Sequence, residues 1–192
     1  MSSVVISGDS SGTVTVAAPA VAGTNTLTLQ AATATSAVNT RATAVASTSG
    51  TAIDFTGLPS WIKRITVMFN NVSTNGASNY LIQIGTSGGI QNTGYIGWAS
   101  VNAVNASSTA GFIITAAQAA AALNSGSVIL TLLNSSDGTW TSFGSIASTT
   151  GVSACSSSGG AKTLSGTLDR VRITSVTPDT FDAGSVNILY EG

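Results

Sequence analysis

From residue 51 onward, apolar side chains recur at alternate positions in short runs, and clusters of Gly, Asn, Ser and Pro separate those runs. A period of two is the signature of a strand with one buried face. The clearest run follows Pro59 at 61–69, where Ile65, Val67 and Phe69, joined by Trp61, share one face and Arg64 and Thr66 take the other. Asn75-Gly76 then marks a turn, and Tyr80, Ile82 and Ile84 form the next inward face. A glycine-punctuated stretch carries Tyr95, Ile96 and Trp98, and strands at 127–133 and 139–146 are joined by a hairpin-like turn at 134–138. In the closing stretch, 168–190, Val171 and Ile173 alternate with Arg170 and Arg172, and Val186, Ile188 and Tyr190 alternate with Asn187 and Leu189. With turn chemistry at Pro178-Asp179 and Ala183-Gly184, the two read as a pair of strands closing one sheet. The alanine-rich segment 116–123 is the single helix candidate, with Gly126 placed to end it.

Residues 1–50 follow a different pattern. They hold no aromatic side chain, and Asp9 and Arg41 are their charges. Two short alternating runs, 13–16 and 26–29, place Val14, Val16, Leu27 and Leu29 on one face and Thr on the other. Two such strands bury too little surface to stand alone in water. The segment reads either as a flexible low-complexity tail or, as the alternation favours, as one whose copies wrap around one another and bury those four residues between protomers. The expected class is therefore all-β: an antiparallel β-sandwich or jelly-roll-like domain over 51–192, preceded by an extended, partly β segment over 1–50.

Composition narrows the function classes. Of 192 residues only 7% are charged and the net charge is −1, against roughly 25% charged in ordinary domains. Nothing here forms the basic stripe that nucleic acid or an anionic membrane surface requires. The longest apolar runs are too short to span a bilayer, and the first residues lack a basic and apolar leader pattern, so assembly in the cytoplasm is expected. The single Cys155 lies in a Ser/Gly-rich run and has no partner for an intrachain disulfide.

The absence of histidine removes the commonest general base and the usual zinc ligand. Two G-x-S-x-G matches, at Gly8–Gly12 and Gly85–Gly89, therefore have no base to activate their serines and read as turns. Asp179 and Asp182 are the nearest carboxylate pair for glycosidase chemistry, and with Glu191 they are the nearest calcium candidates; turn formation is the simpler role for both aspartates. No catalytic residue, metal ligand or cofactor site is expected. Arg170 and Arg172 should pair with Asp169, with Asp54 or with acids of a neighbouring protomer, which makes them candidate protomer contacts. Tyr95, Trp98 and Trp140 are candidate surface aromatics able to stack on sugar rings, with core packing the commoner fate of any one tryptophan.

The run ISGDSSGTVTVAAPAVAGTNTLTL resembles a segment that recurs in bacteriophage tail-fibre and virion proteins. The landmarks IDFTGLPSWIKRITVMFNNVSTNG, YLIQIG, TGYIG, LSGTLDRVRITSV and FDAGSVNILYE are similar, in the same order, to the C-terminal domain of that group. The resemblance implies a virion structural protein, built in the host cytoplasm as a short homotrimeric fibre. Its N-terminal segment would attach to other virion proteins, and its C-terminal domain would be displayed toward a host surface glycan or protein. A capsid decoration, cement or connector protein without a receptor is the alternative, and a carboxylate-based depolymerase is a more distant one. Neither nucleic acid nor membrane insertion enters any of these expectations.

Overall fold

In the computed structural model the described residues are 3–7, 13–17, 38–149 and 154–192. The chain divides into two compact units, residues 1–36 and 37–192. In the first, β1 (Ser3–Ser7) and β2 (Thr13–Ala17) pair antiparallel, with Val14 opposite Ile6 and Val16 opposite Val4 in the register. The expected strand at 13–16 is thus β2. Leu27 and Leu29 lie outside the described residues.

In the second unit follow β3 (Asn39–Arg41), β4 (Val45–Ala46), β5 (Ile53–Phe55), β6 (Arg64–Thr74), β7 (Tyr80–Thr86), β8 (Gly89–Ile90), β9 (Ile96–Val101) and β10 (Val104–Ser108). They continue with β11 (Phe112–Ile113), β12 (Asn124–Asn134), β13 (Thr139–Ser148), β14 (Ala154–Thr163), β15 (Arg170–Ser175) and β16 (Phe181–Glu191). A nine-stranded sheet runs β10-β9-β14-β13-β12-β6-β16-β3, with β4 also on β16; a five-stranded sheet runs β11-β7-β15-β5, with β8 on β7. Every pairing is antiparallel. The sheets face one another across a shared core: Ile65, Val67, Val128, Leu130 and Ile188 from the larger, Ile82, Ile84, Val171 and Ile173 from the smaller. This is an antiparallel β-sandwich, as the alternation predicts.

Four local expectations change. The division between the units falls near residue 37 rather than 50, because β3 and β4 extend the edge of the larger sheet beside β16. Residues 116–123 are not helical, and no helix occurs among the described residues. Ala117 and Ala121 take left-handed φ angles of 54° and 58°, which break any helical run. Tertiary partners hold the segment: Gln118 N–H donates to Asn79 Oδ1 and Ala121 N–H to the Thr74 carbonyl. Finally, β15 and β16 do not pair with each other. β15 lies between β7 and β5 in the small sheet, and β16 lies between β6 and β3 in the large one. Residues 176–180 are a crossing between layers, fixed where Asp179 Oδ2 accepts from Ser78 N–H at 2.9 Å. Trp61 also precedes its expected strand; it is 38% exposed and leans on Tyr190, ring centroids 5.8 Å apart.

Candidate binding face

The strand β9 places its small residues inward. Gly97, Ala99 and Val101 are buried, while Ile96, Trp98 and Ser100 point away from the core. Packing dictates this phase: Ala99 and Val101 join Leu81 and Ile113 in a second apolar cluster, and a Cβ on Gly97 would lie 2.7 Å from the Gly111 carbonyl oxygen. A large side chain cannot fit on that face, so Trp98 is left 58% exposed. The strand β13 has the same logic. Trp140, Ser142, Gly144 and Ile146 point in, so Phe143 points out and is 70% exposed.

Register then aligns these positions across the outer face of the large sheet. Trp98 lies opposite Gly159, Gly159 opposite Phe143, Phe143 opposite Ile129 and Ile129 opposite Thr66. Beside this row runs a second one of hydroxyls, Ser100, Ser157, Ser145 and Ser127. Because Gly159 carries no side chain, a hollow of about 460 Å³ opens between Trp98 and Phe143, edged by Ser100, Asn105 and Ser157. Two further hollows lie on the other side of the aromatic row, one between Trp98 and Ser107 to Thr109, the other between Phe143, Ile129 and Arg64. An exposed aromatic pair on a rigid sheet is a feature that marks contact with something.

The other two sequence-predicted aromatics are core residues. Tyr95 is 2% exposed and meets Phe112 edge-on at 5.0 Å. Its hydroxyl accepts from Ile84 N–H at 2.8 Å and donates its one proton to the Gln91 carbonyl at 2.8 Å, with the Ile84 carbonyl a longer alternative at 3.2 Å. That bonding is what allows a phenol to be buried, and burial pushes its pKa up to about 12. Lys162 Nζ stands over the same ring, 5.4 Å from its centroid. Trp140 is also 2% exposed, and it forms part of the wall of a cavity of about 330 Å³ at one end of the sandwich, with serines of the β12–β13 and β14–β15 loops at its mouth. Tyr95 and Trp140 are therefore corrected from surface aromatics to core residues.

Arg170 and Arg172 are engaged within the chain. Arg172 grips Asp54 with two bonds of 2.7 Å, and this carboxylate holds the guanidinium pKa above its usual value. Asp54 is the cross-strand neighbour of Arg172, so register alone brings the pair together. Arg170 binds Asp169 at 2.6 Å and the Ser87 carbonyl at 3.2 Å. Ser87 belongs to the tight turn between β7 and β8, where the second G-x-S-x-G match falls. The first match, at 8–12, lies outside the described residues. Asp179 is spent on Ser78 N–H and Glu191 stands 3.9 Å from Arg64, so the calcium candidates do not converge. Among the described residues no group of three His, Cys, Asp or Glu side chains is placed to hold a metal ion, and no helix is long and apolar enough to cross a membrane.

The face missed by pattern reading is built on Phe143, Gly159 and Ile129. A signal for Phe143 was present: it lies three residues from Trp140, an odd number, so the two cannot share one face of a strand. No family model, curated protein or solved structure matches the chain.

Proposed function

We propose that this chain is a non-catalytic structural protein of a bacteriophage virion. It is a short homotrimeric fibre, assembled in the host cytoplasm, that attaches to other virion proteins through its N-terminal segment. Its C-terminal β-sandwich is displayed for host adhesion. The observation that carries the adhesive part is the outward row of Trp98 and Phe143 on a rigid, almost uncharged sheet face. Aromatic side chains held by packed strands bind with little loss of conformational freedom. The ordered run of virion-type sequence landmarks supports the particle assignment. The pairing of β2 with β1 supports an N-terminal segment with strand character.

Sedimentation of the full chain tests the oligomer: a trimer is expected, and a monomer overturns the fibre. Retention of the labelled chain on intact host cells tests adhesion. A trimer that host cells do not retain turns the assignment to a decoration or connector protein, for which the same aromatic row is a contact to a virion neighbour.

A further inference from the structure

We infer that the trench across the outer face of the large sheet binds an extended, uncharged oligosaccharide, with Trp98 and Phe143 as its two ribs and Gly159 as its floor. The inference rests on the adhesive reading above and gives that reading a site and a ligand class. Four features of this face select the occupant. First, Trp98 and Phe143 are separated by the single strand β14, a distance of about 10 Å or two strand spacings. That is close to the length of one disaccharide unit in an extended glycan. Second, the middle hollow has no ionisable residue in its lining; Ser100, Asn105 and Ser157 offer it hydroxyl and amide groups. A ring with apolar C–H faces and hydroxyl edges matches such a lining, whereas an anionic ligand would find no partner in it.

Third, each aromatic also borders a second hollow on the Ile96 and Thr141 side of the row, so sugar units beyond the central pair have surface to continue onto. Fourth, the floor is open by composition rather than by movement. A Cβ on Gly159 would meet its nearest heavy atom, the Ser142 carbonyl oxygen, at an ordinary 3.5 Å, so packing does not demand glycine there. Clearance of the hollow gives this glycine a purpose that packing does not.

The test uses the full chain on an array of neutral and acidic oligosaccharides, with titration calorimetry on those retained. At least one neutral oligosaccharide is expected to bind, with affinity unchanged between low and high salt. W98A and F143A should each weaken it tenfold or more. G159V, whose β-branched side chain suits a strand and fills the hollow, should abolish binding while leaving the unfolding midpoint unchanged or higher. Failure of every neutral oligosaccharide to bind overturns the inference, as does binding that G159V leaves intact. If instead W98A and F143A dissolve the oligomer, the face is a contact between copies of this chain and the glycan site is refuted. None of these outcomes bears on whether virions carry the chain, which sedimentation and cell retention decide separately.

Discussion

Gly184 and Asn71 meet so closely that a Cβ on Gly184 would lie 2.3 Å from the Asn71 carbonyl oxygen. Both residues have left-handed backbone, with φ of 90° and 50°. They sit where the register between β16 and β6 slips twice, between Phe181 and Ala183 and between Ala183 and Ser185. On the other side of β6, the pairing with β12 slips at the same level, between Asn124 and Gly126. Three long strands thus bend together, and beyond the bend Val72, Asn124 and Phe181 close over the core. Replacement of Gly184 by Ala forces both a clash with backbone and an unfavourable φ. G184A should cost at least about 2 kcal/mol, read as a lower midpoint in guanidinium unfolding. An unchanged midpoint would show that the bend tolerates a side chain.

The two tryptophans of the large sheet should respond in opposite ways. Trp140 is buried, and W140A should cost about 3–5 kcal/mol. Trp98 is exposed, and W98A should change stability by less than about 0.5 kcal/mol. Paired denaturation curves check this; equal losses would mean that Trp98 is covered in the folded chain.

Tyr95 supplies a pH dependence. Burial raises its folded-state pKa to about 12 from the ordinary value of 10. Above the unfolded value the unfolded chain has lost a proton that the folded chain retains, so stability falls with rising pH. The contribution is whole below pH 10 and disappears as pH climbs through about 12. Tyr80 is shifted in the same direction, by burial first, and adds to the effect. Y95F should weaken the alkaline loss while lowering stability at neutral pH by about 1–3 kcal/mol, because Ile84 N–H loses its buried acceptor. Unfolding midpoints measured across the alkaline range test both parts.

Ala117 and Ala121 allow a test of the segment once expected to be helical. Glycine in a helix interior costs about 1 kcal/mol. Here the left-handed φ angles favour glycine, so A117G and A121G should be neutral or stabilising by up to about 1 kcal/mol. A loss of about 1 kcal/mol from each would restore the helix.

The Arg172–Asp54 pair is more than one-third exposed on both sides, so solvent screens it. R172A should lower stability by less than about 1 kcal/mol, and less still in high salt. Since the guanidinium fork is filled within the chain, sedimentation should not change. A shift to smaller species would show that Arg172 is a protomer contact as well.

The sandwich was legible because alternation survives in each strand without an alignment. Ile65, Val67, Tyr80, Ile82, Val171 and Ile188 all face the core as their spacing predicts. What was not legible was non-local. Alternation identifies the two faces of β15 and of β16 but carries no information about which neighbour each strand takes, so two adjacent strands read as one pair when they belong to different sheets. Ala-rich composition favours a helix at 116–123, but Asn79 and Thr74, far away in sequence, impose turns there. The candidate site was half visible. Trp98 could be named as an exposed aromatic, but its pairing with Phe143 across Gly159 depends on the registers of β9, β14 and β13.

The position of β16 also sets the timing of folding. Its long partner β6 lies more than a hundred residues earlier, and among the described strands β3 and β4 pair with β16 alone. A chain made only as far as β15 has therefore produced a large sheet that ends at β6 with a bare edge. Closure waits for β16 and must span more than a hundred residues, which makes folding slow. Until then the open side of β6 is a template for any other chain, so a nascent or truncated copy is where aggregation begins.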